Sequence, residues 1–245
     1  MDNELQQGGV TFGTYRAAPE SGSYPGLVLI HEIWGLNENI RDIAIRFARH
    51  GFTVLAPDLL SDSGLQDILG ELWLERQDPE KMHAAQAKMR EATAPVRTKE
   101  FAEKAIARLR LCVDTLLKDE QVNGAVGAVG FCFGGTYTFH LAIHDDRLRA
   151  AVPFYGQPPE SSNVARIKCP VYALYGKKDE ALMETLPALA EAMQTAGRDF
   201  TYEVYEGAGH AFFNDTNKIA FVPEAADDAW EKVLAFLHQN LDEVI

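Results

Sequence analysis

The sequence has few cysteines and little positive charge. Its three cysteines, Cys112, Cys132 and Cys169, form no CxxC pair, no metal-binding cluster and no even-numbered set for a disulfide framework. This usage favours reduced thiols and therefore a cytoplasmic location. Lys and Arg number 23 against 36 Asp and Glu, which gives a formal charge of −13. Because such a surface repels nucleic-acid phosphates and anionic lipids, we expect neither nucleic acid nor a membrane as a partner.

Long apolar runs and nucleotide-binding loops are also absent. No window approaches the roughly 18 apolar residues of a membrane helix, and the first residues lack the basic and apolar regions of a signal peptide. Gly124, Gly127 and Gly130 match neither a dinucleotide fingerprint nor a phosphate loop. The 245 residues are 47% hydrophobic, so we expect one well-packed α/β domain over residues 1–245, with its oligomeric state left open.

Apolar runs alternate along the chain with segments of helical spacing. The strands are predicted at 10–15, 27–30, 52–56, 125–129, 150–155, 170–175 and 200–205, the first of them at a sheet edge. The helices are predicted at 38–50, 65–75, 80–91, 98–117, 134–144, 184–196 and 223–241, of which the second and third could form a cap. This alternation predicts a mainly parallel, doubly wound sheet with helices on both faces.

A strand, a turn and a helix are predicted around Cys132. Gly130, Cys132 and Gly134 stand at alternate positions between the strand and the helix. This spacing is that of the nucleophile elbow G-x-S-x-G, with cysteine in place of serine. The flanking glycines allow a strained turn that would hold the thiol at a helix N-terminus. The simpler interpretation is a buried cysteine beside a glycine-rich turn.

Polar residues follow three other predicted strands: Glu32, Asp179 and His210. Sites in open parallel sheets form outside the carboxyl ends of the strands, so we expect these residues to converge on Cys132. A thiol attacks an acyl carbon as thiolate, and His210 is the best candidate for the base. Asp179 could orient the imidazole, although Glu180 competes for that role. Each could also be a solvated loop residue, but the order Cys, Asp, His is that of elbow hydrolases.

The other cysteines and two further histidines receive structural interpretations. His140 and His144 lie four residues apart on the predicted elbow helix, which suits a metal, but no third ligand is evident and a solvated face is simpler. Cys112 lies on the apolar stripe of a long helix and is expected in the core. Cys169 is expected to pack at a strand entrance. We therefore predict no metal site.

Four motifs together resemble the dienelactone hydrolase family of the α/β-hydrolase superfamily. They are Gly130-Phe131-Cys132-Phe133-Gly134-Gly135, His31-Glu32-Ile33-Trp34-Gly35, Ala56-Pro57-Asp58-Leu59 and Gly207-Ala208-Gly209-His210-Ala211-Phe212. The resemblance covers nearly the whole chain in order, and the cysteine elbow combined with His-Glu is more specific than either motif alone. It implies an α/β-hydrolase fold and a carboxylic ester hydrolase, similar to carboxymethylenebutenolidase, that acts on small esters or lactones.

The resemblance also implies roles for the converging residues. Cys132 would be the nucleophile, His210 the general base and Asp179 the acid that orients it. Glu32 would interact with the thiol and help to ionise it when substrate arrives. The reaction would pass through a thioester acyl-enzyme, which water then cleaves with His210 as base. It would require no cofactor and no metal.

Four residues would contact the substrate by the same resemblance. The backbone N–H groups of Ile33 and Phe133 would hold the oxyanion, and Trp34 and Asn214 would be substrate-binding. Members that take dienelactones bind the substrate carboxylate with arginines, one of them four residues after the histidine, where this chain has Asn214. The partner of a substrate anion is therefore open, with three arginines as alternatives in the segment before the long helix: Arg76, Arg90 and Arg97.

Two other functions fit the same residues. A broader carboxylesterase or thioesterase would use the same thiol on neutral substrates, and Asn214 slightly favours it. A redox-sensing protein could keep the scaffold and use Cys132 as an oxidisable thiol, although a sensor has no need of Asp179 and His210. The leading hypothesis is a cysteine hydrolase of small esters or lactones.

Overall fold

An eight-stranded sheet forms the centre of the protein. The computed structural model describes residues 2–7, 9–76 and 81–242. The strands are β1 (Asp2–Gln7), β2 (Val10–Ala17), β3 (Tyr24–Ile30), β4 (Thr53–Pro57), β5 (Val122–Phe131), β6 (Leu148–Phe154), β7 (Val171–Gly176) and β8 (Phe200–Tyr205). Their order across the sheet is β1-β2-β4-β3-β5-β6-β7-β8.

The strand directions confirm the predicted mainly parallel sheet. Neighbouring strands from β4 across to β8 run parallel, whereas β2 is antiparallel to both β4 and β1. The prediction that residues 10–15 form the edge strand is wrong, because β1 lies outside β2 and pairs with it, with Leu5 opposite Phe12. β1 shows no apolar alternation, since five of its six residues are polar (DNELQQ).

Seven α-helices accompany the sheet in the described residues. They are α1 (Glu38–Arg49), α2 (Gln66–Arg76), α3 (Met82–Ala92), α4 (Lys99–Lys118), α5 (Phe133–His144), α6 (Glu180–Thr195) and α7 (Pro223–Leu241), with short 3₁₀ segments at Ala94–Arg97 and Ser161–Arg166. The predicted helix start at 80 lies outside the described residues. α6 begins at Glu180 rather than 184, because the Asp179 carbonyl already accepts from the N–H groups of Leu182 and Met183. No described helix is long and apolar enough to cross a membrane.

Helices on both faces bury the central strands. All of Leu27 to Ile30 in β3 is fully buried, which explains why this strand shows a continuous apolar run. On one face α1 and α7 meet through Phe47 and Trp230, whose ring centroids lie 4.5 Å apart. Cys112 of α4 is fully buried in the core, as predicted, and burial raises the pKa of its thiol. This packing holds the carboxyl ends of the parallel strands in fixed positions.

Two glycines let the end of β5 close against β3. A Cβ atom on Gly130 would overlap the backbone of Gly134, and one on Gly134 would overlap the carbonyl oxygen of Ile30. Only glycine fits either position without moving backbone. The sharp connection from β5 to α5, with Cys132 at its tip, therefore depends on these two residues.

We predict opposite stability effects for alanine at Gly130 and at Gly70. Gly130→Ala forces backbone apart and should lower the free energy of unfolding by about 3 kcal/mol, or prevent folding. Gly70 lies in α2, and a Cβ atom added there would meet open space. Gly70→Ala should therefore raise the free energy of unfolding by up to about 1 kcal/mol. Urea denaturation measures both values. A Gly130→Ala protein as stable as the natural chain would contradict this packing.

Candidate active site

Four polar residues meet at the carboxyl edge of the parallel strands. Glu32 lies just past β3, Cys132 directly after β5, Asp179 past β7 and His210 in the loop that follows β8. Because these strands run in the same direction, their carboxyl ends share one edge of the sheet. The structure thus brings together residues that are far apart in the sequence.

Cys132 lies in a strained turn at the start of a helix. Its φ is 55° and its ψ is −112°, and α5 begins at the next residue. The turn is held by its own backbone, because the Cys132 N–H donates to the Phe154 carbonyl at 3.0 Å and the Cys132 carbonyl accepts from the Thr136 N–H at 3.0 Å. A non-glycine residue in this region costs on the order of 1–3 kcal/mol, and such strain is typical of functional sites. The side chain is partly exposed at the positive end of the helix dipole.

His210 is oriented by Asp179. Its Nδ1 donates to Asp179 Oδ2 at 2.5 Å. The two loops are also joined by backbone, since the Lys178 N–H donates to the Ala208 carbonyl at 2.8 Å. With Nδ1 bound to the carboxylate, Nε2 is the ring nitrogen left to interact with the Cys132 side chain. The alternative carboxylate, Glu180, is exposed at the first position of α6.

The charge of His210 is set by its neighbours. Burial disfavours the charged imidazole, but the negative charge of Cys132 and the hydrogen bonds to Asp179 and Cys132 outweigh it. Together they raise the pKa of His210 to about 10. A positively charged imidazole stabilises a thiolate next to it, and the thiolate is the reactive form of a cysteine nucleophile.

The Glu32 carboxylate is buried and held by two donors. Its Oε1 accepts from the Tyr155 hydroxyl at 3.3 Å, and its Oε2 accepts from Asn214 Nδ2 at 2.6 Å. The Asn214 amide is itself oriented, because its Oδ1 accepts from the N–H and hydroxyl of Thr216 at 3.1 and 2.7 Å. Asn214 is only 2% exposed, so its polar atoms are turned to Glu32 and Thr216 rather than to a cavity.

Tyr155 is a site residue that the sequence analysis missed. It follows β6 directly, its φ is 37°, and its buried ring lies 5.1 Å from the His210 ring between centroids. Burial and the negative charges of Glu32 and Cys132 raise the pKa of its hydroxyl well above the ordinary value, so it stays a neutral donor. The signal that could have found it is its place at the carboxyl end of a parallel strand, the same feature that singled out the other four.

Two backbone N–H groups beside Cys132 are available to a ligand. Ile33 and Phe133 both line the cavity above the thiol. No hydrogen bond among the described residues takes the N–H of either one. The positions agree with the role of oxyanion donors that the resemblance implies, and that role stays a prediction.

A cavity of about 600 Å³ opens above Cys132 and His210. Met89 of α3 and residues 93, 96 and 97 line one side of it, whereas α2, the other helix predicted as part of a cap, gives none of the described lining residues. Its other lining residues are mainly apolar or aromatic: Ile33, Met89, Val96, Ala102, Phe133, Tyr137 and Tyr155, with Thr93, Arg97, Thr98, Thr136, His140 and Gln157 as the polar ones. Such a chamber suits a small substrate with a mainly apolar body.

Arg97 is the permanent cation among the described residues that line this cavity. Its Nη2 donates to the Thr93 hydroxyl at 3.3 Å. His140 also lines the cavity rather than forming a purely solvated face, and burial, together with the nearby His144, lowers its pKa. Arg90 is exposed and is not among the described residues that line the cavity, and the side chain of Arg76 lies outside the described residues.

Trp34 lies beside a different cavity. Its ring meets that of Trp73 at 5.0 Å between centroids, and both line a neighbouring space of about 390 Å³. Neither Trp34 nor Asn214 is among the described residues that line the Cys132 cavity. Within the described ranges, no group of three His, Cys, Asp or Glu side chains could hold a metal.

Comparisons with known proteins agree on one family. Residues 12–241 match the profile of the dienelactone hydrolase family. A protein of Saccharolobus solfataricus named as a candidate carboxymethylenebutenolidase is 32% identical, with 98% of this chain and 99% of that one covered. "Protein usf" of Aquifex pyrophilus is 31% identical, with 97% of each chain covered. The solved structure of a candidate dienelactone hydrolase from Klebsiella pneumoniae superposes with a TM-score of 0.80 at 26% identity, covering 98% of each chain.

We expect the pKa of His210 to depend on Cys132. In the natural chain the imidazole should titrate near pH 10. Cys132→Ala removes the thiolate charge and its hydrogen bond, so the value should fall by about 1–3 pH units. The ¹H NMR signals of the carbon-bound protons of the His210 ring follow this titration. Cys169→Ala is the matched control and should leave the pKa of His210 unchanged. An unaltered His210 titration in Cys132→Ala would show that the two side chains are not coupled.

Proposed function

The chain belongs to the dienelactone hydrolase family and is a hydrolase of ester or lactone bonds, and we propose that it uses Cys132 as a covalent nucleophile. The observation that carries this proposal is that Cys132 and His210 line one cavity and interact there, while His210 Nδ1 is bound to Asp179 at 2.5 Å. The chain order of nucleophile, acid and histidine is that of the elbow hydrolases, with cysteine in place of serine.

In the first half of the reaction the thiolate of Cys132 attacks the acyl carbon. The electron pair of the carbonyl moves to its oxygen, and the N–H groups of Ile33 and Phe133 donate to that oxyanion. The tetrahedral intermediate collapses to a thioester and breaks the bond to the leaving oxygen. His210 gives its Nε2 proton to that oxygen, while Asp179 keeps the ring in place.

In the second half, water cleaves the thioester. His210, now neutral, takes a proton from the water as the oxygen attacks the thioester carbon. Collapse of the second intermediate releases the acid and returns Cys132 as thiolate beside the protonated His210. Within these two half-reactions every proton moves through His210.

Glu32 contributes a buried negative charge next to the thiol. Its carboxylate accepts from Tyr155 and Asn214, and Tyr155 interacts with the charges of both Glu32 and Cys132. We infer that Glu32 helps to deprotonate the thiol when substrate arrives, with Tyr155 as the hydroxyl between the two anions. Asn214 then binds Glu32 rather than the substrate.

We infer that the preferred substrate is a small ester or lactone that carries an anionic group. The mainly apolar cavity accepts its body, and Arg97 offers the positive charge. Asn214, at the position where the resemblance locates an arginine, is occupied by Glu32 and Thr216. A carboxylesterase or thioesterase of neutral substrates is the alternative, and the solvent exposure of Arg97 is the observation that favours it.

We further propose that residues 1–245 act as one α/β-hydrolase domain in the cytoplasm. One sheet includes strands from Asp2 to Tyr205, and the last helix returns to it through the bond from Asn123 Nδ2 to the Leu241 carbonyl at 3.1 Å. The three cysteines are free thiols, which suits a reducing compartment.

We predict that Cys132→Ala abolishes ester hydrolysis without loss of the fold. The variant lacks the nucleophile, so kcat should fall by at least about 10⁴-fold. Turnover of p-nitrophenyl acetate and circular dichroism measure the two properties, and Cys169→Ala is the control that should keep its activity. Undiminished turnover in Cys132→Ala would exclude the proposed nucleophile. If peroxide oxidised Cys132 readily while no acyl substrate turned over, a redox sensor would replace the hydrolase proposal.

We predict that Arg97→Gln selectively weakens anionic substrates. Loss of a charge-assisted contact to a carboxylate should raise KM for an anionic lactone or ester about 10-fold, with a neutral aryl ester nearly unchanged. Arg90→Gln removes an exposed arginine that is not among the described cavity-lining residues and is the matched control. An equal change for both substrate types, or no change for the anionic one, would argue against Arg97 as the anion partner.

A further inference from the structure

His31 has no part in the proposed chemistry, yet it is fully buried beside it. Its side chain is 0% exposed. Its Nε2 accepts from the Leu59 N–H at 3.0 Å, and its Nδ1 lies 2.5 Å from the Glu32 carbonyl oxygen. Its ring is stacked on that of Phe133, with 5.7 Å between centroids and 7° between planes. His31 thus contacts both segments that carry the two free backbone N–H groups.

The hydrogen bonds determine which ring nitrogen of His31 carries the proton. A backbone N–H can only donate, so the bond from Leu59 requires an unprotonated Nε2. The proton is then on Nδ1, which donates to the Glu32 carbonyl. Burial lowers the pKa of the ring, although Asp58, with Oδ1 at 3.9 Å from Nε2, opposes this. The ring is therefore a neutral donor in one defined tautomer.

This bond sets the direction of the Ile33 N–H. The Glu32 carbonyl and the Ile33 N–H belong to one trans peptide, in which the two groups point in opposite directions. The carbonyl is held by two donors, His31 Nδ1 and the Gly35 N–H at 3.1 Å. With the carbonyl held on the side of His31, the N–H points to the opposite side. Ile33 itself lines the cavity above the thiol.

The other end of the ring is anchored as well. Leu59 belongs to the Ala56-Pro57-Asp58-Leu59 motif, which the reaction steps leave without a role. Its carbonyl accepts from Nη1 of the buried Arg108 at 3.3 Å, and Arg108 also binds Asp62 at 2.8 Å. A series of hydrogen bonds therefore runs from α4 through Leu59 and His31 to the Glu32–Ile33 peptide.

We propose that His31 is a positioning residue that presets the oxyanion hole. It fixes the Glu32–Ile33 peptide so that its N–H faces the developing oxyanion, and it supports Phe133, which supplies the second N–H. This inference rests on the proposed function, because it assigns the two N–H groups to the acyl oxygen. It accounts for the joint presence of the His31 and Leu59 motifs in the chain.

Two substitutions at His31 separate this role from a packing role. His31→Phe keeps the ring stacked on Phe133 but removes both hydrogen bonds. His31→Gln loses the stack, but its amide can donate to the Glu32 carbonyl and accept from the Leu59 N–H. Each variant is treated with two reagents, p-nitrophenyl acetate and iodoacetamide. Acylation by the ester forms an oxyanion, whereas alkylation displaces iodide without one and reports only on the thiolate.

We expect His31→Phe to acylate about 100-fold more slowly and to be alkylated at nearly the natural rate, because only the first reaction needs the positioned N–H. His31→Gln should recover most of the acylation rate, with the effect in kcat rather than KM. Rates are expressed per reactive thiol, so a partly folded variant still gives a valid ratio. An unchanged ratio of acylation to alkylation in His31→Phe overturns the proposal, as does an equal loss in both variants.

A measurement on the natural chain covers the case in which no variant folds. ¹⁵N-histidine NMR should show His31 neutral with its proton on Nδ1, and a proton on Nε2 would overturn the proposal. Cys132→Ala is assayed in parallel. If that variant still turns over the ester, the proposed function itself fails, whereas an inactive Cys132→Ala with an unaffected His31→Phe removes only the role of His31.

Discussion

The rest of the site depends on the interaction between the His210 imidazole and the Cys132 sulfur. It requires the strained turn between β5 and α5, because that turn lifts the sulfur to the edge of the sheet. It also requires Asp179, since a bound Nδ1 leaves Nε2 for the sulfur. The pKa of His210, raised to about 10 despite burial, is the electrostatic result of this contact. The fold, the strained turn and the neighbouring charges therefore all act on His210 Nε2 and the Cys132 sulfur.

The sequence was sufficient to predict the architecture and the convergence of four residues on one site. Glu32, Cys132, Asp179 and His210 each follow a strand, and in a parallel sheet that feature alone determines which edge they share. The outermost strand was missed because β1 is polar and is held by backbone pairing to β2 rather than by burial. Apolar patterns report burial, so an exposed edge strand has little signal.

The sequence was not sufficient to predict which way side chains in the loops point. Asn214 and Trp34 lie near the motifs that matter, but the first is turned to Glu32 and the second to Trp73. Arg97 lines the cavity only because the 3₁₀ segment at Ala94–Arg97 folds over it, a contact between distant parts of the chain. The two hydrogen bonds of His31 depend in the same way on loops 28 residues apart, which no local pattern encodes.

The most direct test of the covalent mechanism is to trap its intermediate. The enzyme is mixed with p-nitrophenyl acetate and quenched in acid within the first turnover. It is then digested, and the masses of the peptides are measured by mass spectrometry. The account predicts one acetyl group on the peptide that contains Cys132, which disappears as turnover proceeds. An acetyl group on another residue, or rapid hydrolysis with no modified Cys132 at any time, would contradict it.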